Sequence, residues 1–129
     1  MPPAKRSTRR FPAPVLRAID AAQRIGIRAG REYRFIAVWA VVVNGRVFAR
    51  SWEISRDGWY HAFLEEPRGA ITVGDREIRI RAVPARGERL RDAIDRAYLA
   101  KYTSPGSVRY ARGFRSARRR ATTVELVPR

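Results

Sequence analysis

The chain has 129 residues, 45% of them hydrophobic, and no cysteine, which fits one folded domain and excludes disulfides, thiolate metal sites and a cysteine nucleophile. Its 28 lysines and arginines against 12 acidic residues give a formal charge of +16, a field that attracts polyanions such as nucleic acid or phosphorylated ligands. No run approaches the roughly 20 apolar residues of a membrane span and the start has no apolar signal core, so the expectation is a cytoplasmic protein with no membrane partner.

Residues 1 to 12 carry Lys5, Arg6, Arg9 and Arg10 among proline, serine and threonine, the composition of a flexible basic arm, and residues 13 to 129 read as the single domain. Val15, Ala18, Ile19, Ala22 and Ile25 recur at helical spacing, and Gly26 and Gly30 supply its stop. Phe35 to Val43 is apolar on both alternating faces, as a strand covered on both sides would be. Asn44-Gly45 then marks a two-residue hairpin, because a type I′ turn needs positive φ at both central positions, and Arg46 to Trp52 is the partner strand.

Trp59, Tyr60, Phe63 and Leu64 have the spacing of a short helix that stops before Pro67. Ala70 to Val73 and Glu77 to Val83 are two strands about a Gly74-Asp75 turn, the second alternating Ile78, Ile80 and Ala82 with Glu77, Arg79 and Arg81. Leu90, Ala93, Ile94, Ala97, Tyr98 and Lys101 mark a second clear helix, with Asp92 and Arg96 spaced to pair. Arg109 to Arg120 holds six arginines with Tyr110 and Phe114 interleaved, and Thr122 to Val127 closes the chain as a β-branched strand. Hairpins without βαβ alternation predict an α+β fold built on an antiparallel sheet or small barrel.

The only histidine, His61, has no second imidazole or thiolate to complete a metal site, so no metal is expected. Ser51 lacks a nucleophile-elbow motif, the paired carboxylates at Glu65-Glu66 and Asp92/Asp95 read as solvated helix faces or as partners for nearby arginines, and no glycine-rich dinucleotide or Walker motif is present. Arg46, Arg50, Ser51, Trp52, Trp59 and Tyr60 are the more informative set, because a strand end supplies a cation and a hydroxyl beside aromatic rings, a combination suited to a phosphate and a flat heterocycle. The plain alternative is that Trp59 and Tyr60 anchor the core and Arg50 lies on the surface. The arginines of 109 to 120, with Tyr110 and Phe114, also suit single-stranded nucleic acid, the alternative being a loop that carries solvated charge or binds a small anion.

Taken together, Trp39, Asn44-Gly45, Arg50-Ser51, Trp59-Tyr60, Ala97-Tyr98, Lys101-Tyr102 and the terminal Thr122 to Pro128 resemble, in their order, an uncharacterised bacterial family similar to deazaflavin-dependent nitroreductases and other flavin-binding split barrels. The resemblance implies a split β-barrel of about six strands with two to three helices. It further implies a homodimer, with FMN or the deazaflavin F420 in a groove near the interface. On that reading Arg50 and Ser51 contact cofactor phosphate, Trp59 and Tyr60 wall the pocket, and Arg79 or Arg81 add cationic contacts, although Trp52-Glu53-Ile54 stand where those relatives carry glycines. The function expected is flavin or deazaflavin binding, with oxidoreductase activity toward a substrate the sequence does not name. The alternatives are a basic nucleic-acid-binding module and a non-catalytic interaction protein.

Overall fold

In the computed structural model, which describes residues 9–129, seven strands form one antiparallel sheet accompanied by five helices. The strands are β1 (Ile25–Ala29), β2 (Ile36–Val38), β3 (Ala40–Val43), β4 (Arg46–Ala49), β5 (Arg68–Val73), β6 (Arg76–Pro84) and β7 (Val124–Pro128). The helices are α1 (Ala13–Ala21), α2 (Trp59–Glu65), α3 (Glu88–Lys101), α4 (Val108–Gly113) and α5 (Ala117–Arg120).

The strand order β2-β1-β5-β6-β7-β4-β3 places β2 and β3 at opposite edges, yet the two are consecutive in the chain with only Trp39 between them. A sheet whose edges are joined by one residue must wrap round on itself, so it is a barrel with a seam at Trp39. Side-chain alternation continues across the break: Val38 and Ala40 join the interior cluster, whereas Trp39 and Val41 belong to the cluster outside. Counted with β2 and β3 as one interrupted strand, the barrel has the expected six; the helices exceed expectation because the arginine-rich segment folds into α4 and α5.

The interior is filled by alternate residues of every strand, among them Ile27, Val47, Ile71, Ile80 and Leu126, joined by Phe11, Val15 and Ile19 from the α1 region and by Trp59 and Phe63 of α2. A second cluster lies outside the wall, where Ile94 and Tyr98 of α3, Tyr102 just after it, and Ala111 and Phe114 of the α4 region cover Val41 and Phe48. The Asn44-Gly45 hairpin forms as expected, with φ of 51° and 74° and Val43 paired to Arg46.

Several expectations are corrected. Gly26 does not stop a helix: α1 ends at Ala21, and Gly26 lies inside β1, where a Cβ would overlap Thr72 Oγ1 on the neighbouring strand. The Phe35 to Val43 run is covered on both sides only in its β3 half, where Ala40 faces the interior and Val41 lies under the outer cluster; in β2 Ile36 is 45% exposed. The partner strand ends at Ala49 rather than Trp52. Asp92 meets Arg120 rather than Arg96. Residues 1–8 of the expected arm lie outside the described residues, but Arg10 donates to the Asn44 carbonyl (2.8 Å) and Phe11 is buried, so these two belong to the folded domain.

Candidate functional site

The seam is where the barrel opens. In a two-residue hairpin the flanking pair exchanges hydrogen bonds, and bonded pairs then recur at every second position. From Val43–Arg46 the series runs to Val41–Phe48 and would continue at Trp39–Arg50, but the strand pairing stops at Ala40–Ala49. At the missing step the Tyr98 hydroxyl of α3 takes both partners: it accepts from the Arg50 backbone N–H (3.1 Å) and donates to the Trp39 carbonyl (2.6 Å). Burial of the Tyr98 ring pushes its phenol well above the ordinary value, so the hydroxyl keeps the proton that it donates.

Beyond this wedge β4 is drawn away from β2. Ser51 N–H donates to Thr122 Oγ1 (2.9 Å), and the Ser51 hydroxyl turns back to the Glu53 carbonyl. Among the described elements β2 pairs only with β1, leaving its other edge to border a groove of about 510 Å³. Ile36, Val38, Trp39, Trp52, Trp59 and Phe114 supply its apolar wall, with Arg24, Ser51 and Glu53 also on its lining. All three tryptophans of the chain line this one groove.

The wall is itself braced. Trp39 stacks on Tyr102 with centroids 3.9 Å apart, and Trp52 meets Tyr110 and Phe114 edge to face. The Arg119 guanidinium lies 3.6 Å over the Trp52 ring while its Nε donates to the Trp52 carbonyl (3.0 Å), fixing both the ring and the backbone of one residue. Gly113 permits the contact, because a Cβ there would come within 2.5 Å of the indole.

The residues expected to form a cofactor site are only partly brought together. Arg50, Ser51 and Trp59 line the groove, and Tyr60 stands beside Trp59 with its hydroxyl on the Ala121 carbonyl. The Arg50 guanidinium, however, points with Phe48 to the outer side of the wall and is fully enclosed. Its Nε donates to Thr123 Oγ1 (2.8 Å), Nη1 to Asp95 and the Phe114 carbonyl, and Nη2 to the Arg91 carbonyl (3.0 Å). Asp95 in turn holds Arg120, which also reaches Asp92 and Glu88. Burial lowers the Arg50 pKa and the Asp95 carboxylate opposes the shift, so the residue acts as a buried cross-link between β4, α3 and β7.

Arg79 lines a different, polar concavity with Arg28, Arg31, Arg68 and Arg129, and Arg81 lies opposite Arg68 in the β5–β6 register; neither borders the groove. Of the 109–120 arginines, Arg109, Arg112, Arg115 and Arg118 are exposed, but Phe114 is buried and Tyr110 packs on Trp52, so neither ring stands free for a base. No group of acidic, histidine or cysteine side chains capable of holding a metal occurs among the described residues. Nor is any helix among them long and apolar enough to cross a membrane.

The Tyr98 bridge, Arg24 and the groove-lining place of Trp39 were not read from sequence. The signal available for Trp39 was the concentration of every tryptophan in the segment from 39 to 59.

A family model described as an uncharacterized protein conserved in bacteria (DUF2255) matches residues 15–126. Among solved structures the fold is similar to that of a conserved hypothetical protein, Rv2991, from Mycobacterium tuberculosis, with a TM-score of 0.60 over 95% of this chain and 82% of that one at 10% identity. That likeness supports the barrel architecture alone. The sequence has no match among curated proteins.

Proposed function

We propose, for a chain that belongs to the DUF2255 family, that the groove at the barrel seam binds a planar heteroaromatic ligand, with FMN and the deazaflavin F420 as the first candidates. The observation that carries the reading is the convergence of all three tryptophans on one apolar groove of about 510 Å³, within the range of small-molecule sites.

The residues fit the ring system of such a cofactor better than its phosphate. Trp39, Trp52, Trp59, Ile36 and Val38 offer flat and aliphatic walls for a tricyclic ring. Arg50 and Ser51, in contrast, have given their donors to protein partners. Arg24, exposed and without an ion-pair partner among the described residues, is the cation available to an anionic tail, while Glu53 on the same lining repels one. Arg50 on this reading shapes the wall from behind rather than touching ligand. A flavin or deazaflavin bound here would supply electron or hydride transfer, and the chain would supply enclosure and orientation.

The test is a native mass spectrum and visible absorption spectrum of freshly purified protein, followed by calorimetric titration with FMN and with F420 at low salt. The reading expects retained or added cofactor bound with a dissociation constant in the micromolar range or tighter, about −8 kcal/mol, weakened by Arg24→Gln. The same mass spectrum reports whether the chain is a homodimer. Absence of binding to both cofactors overturns it.

A second reading has its own observation. Arg109 and Arg112 of α4, Arg115 of the connection and Arg118 of α5 are all exposed, a run of cations suited to nucleic-acid phosphates. It expects binding to RNA or DNA that falls steeply with salt and is reduced when Arg112, Arg115 and Arg118 are changed together to glutamine. Without such salt-dependent binding, this reading fails.

A further inference from the structure

The polar concavity of about 640 Å³ on the outer side of β1, β5 and β6 is lined by Arg28, Arg31, Arg68, Arg79 and Arg129 against only Glu66 and Glu77. Its position follows from the strand register. Even-numbered Arg28 lies on the outer face of β1, opposite Ala70 of β5, which is in turn opposite Arg79 of β6. The small side chain of Ala70 between two arginines leaves a hollow instead of a ridge. Gly30 and Gly69 extend it, and at Gly69 a Cβ would overlap the Arg28 carbonyl. Arg129 closes the rim, its backbone N–H donating to the Arg79 carbonyl (3.0 Å).

The charges in this hollow are not internally balanced. Glu77 takes Arg28 at 3.5 Å, and Glu66 takes Arg68 at 3.2 Å. Arg31, Arg79 and Arg129 have no side-chain ion pair or hydrogen bond among the described residues, and all three are exposed. Arg28 is preorganised beneath them, its guanidinium 4.4 Å over the Phe35 ring, and its buried Nε has no hydrogen-bond partner. Elsewhere in the protein clustered arginines are used structurally: Arg50 and Arg120 are saturated by Asp95 and its neighbours. Here the cations converge without that saturation.

We propose that this concavity is an anion site for a compact, multiply charged phosphoanion, a diphosphate or phosphate-monoester group. Planar guanidinium forks match phosphate oxygens in pairs, and several forks converging on one hollow favour a group with two or more negative charges over a singly charged ion. The two glutamates limit the site to a group that seats beside them and make it a poor match for a carboxylate-lined partner. This assignment is independent of the groove at the seam, from which its residues are separate.

The experiment uses the full chain at low salt with inorganic pyrophosphate as probe, inorganic phosphate and a short oligonucleotide as comparisons, and sodium chloride at matched ionic strength as control. Binding is read by calorimetry and by melting temperature. Pyrophosphate is expected to bind saturably and more tightly than phosphate. Arg79→Gln is expected to weaken it about tenfold, the share of one charge-assisted contact, and Arg79→Gln with Arg31→Gln further still. Both positions are exposed, so the variants are expected to keep the parent melting temperature without ligand. Arg112→Gln, remote in sequence on α4, is expected to bind pyrophosphate as the parent does. A response no greater than that to matched chloride, or one unchanged by the Arg79 and Arg31 substitutions, overturns the proposal. So does Arg79-dependent binding of the oligonucleotide without binding of pyrophosphate, which would assign the face to nucleic acid.

Discussion

Tyr98→Phe removes one oxygen and nothing else, and that oxygen occupies the step at which the barrel ladder stops. The ring is fully buried, as is the Arg50 backbone, so neither group gains water when the hydroxyl goes. Two backbone groups, the Arg50 N–H and the Trp39 carbonyl, lose a partner at once. The phenyl ring still stands between the strands and keeps them from meeting directly. The buried Arg50 N–H left without a partner costs about 1–3 kcal/mol and the part-buried Trp39 carbonyl, on the groove lining, adds less, which with some local relaxation predicts a loss of about 1–3 kcal/mol. Urea unfolding monitored by far-UV circular dichroism measures this directly, the midpoint falling with the slope unchanged. Tryptophan emission should move as well, since Trp39 and the backbone leading to Trp52 are released. A loss below about 0.5 kcal/mol together with unchanged emission would show that the seam is held by something other than this hydroxyl.

Arg50→Met removes the buried cation from beneath β4 and is predicted to cost about 3 kcal/mol in urea unfolding, toward the lower end for a broken buried pair because Asp95 keeps Arg120. Gly113→Ala places a methyl group within 2.5 Å of the Trp52 indole. It should cost about 1–3 kcal/mol and shift tryptophan emission, so an unchanged spectrum would remove Trp52 from the α4 contact. Alkaline pH provides a fourth test. Burial raises the phenol pKa values of Tyr98 and Tyr102 above the ordinary 10.0, so the folded state retains protons that the unfolded chain releases. Their contribution to stability is therefore complete below pH 10 and is lost as pH climbs toward the folded values, at about 1.4 kcal/mol per pH unit for each phenol. Lys101, whose pKa burial lowers from 10.5, acts in the opposite sense below that value. The net decline should thus appear above about pH 10.5 and be roughly halved in Tyr102→Phe.

The sequence displayed the hairpins, α2, α3 and the last strand, because each is written in local periodicity or in a turn dipeptide such as Asn44-Gly45. It concealed β1, since a glycine after a helical stripe resembles a helix stop. The reason for Gly26 is instead Thr72 on a strand more than forty residues away. The candidate site was legible as a neighbourhood but not as a set of roles. Arg50 is a cation at a strand end in the sequence, yet strand parity sends its side chain outward with Phe48, beneath a helix whose placement no local pattern specifies. The Tyr98 wedge was hidden for the same reason, because it joins residues 48 and 59 positions away along the chain. The division of Arg79 from the groove likewise depends on how the sheet closes, which only the joining of its two edges at Trp39 reveals.

The proposed role of the seam groove is tested most directly by the tryptophans that line it. In a titration of the full chain with FMN and F420 at low salt, the account predicts saturable quenching of most of the intrinsic tryptophan emission, because Trp39, Trp52 and Trp59 all face one site. Gly113→Ala should weaken that quenching while Arg79→Gln leaves it unchanged. Emission that stays constant apart from the linear absorption of added cofactor would contradict the account.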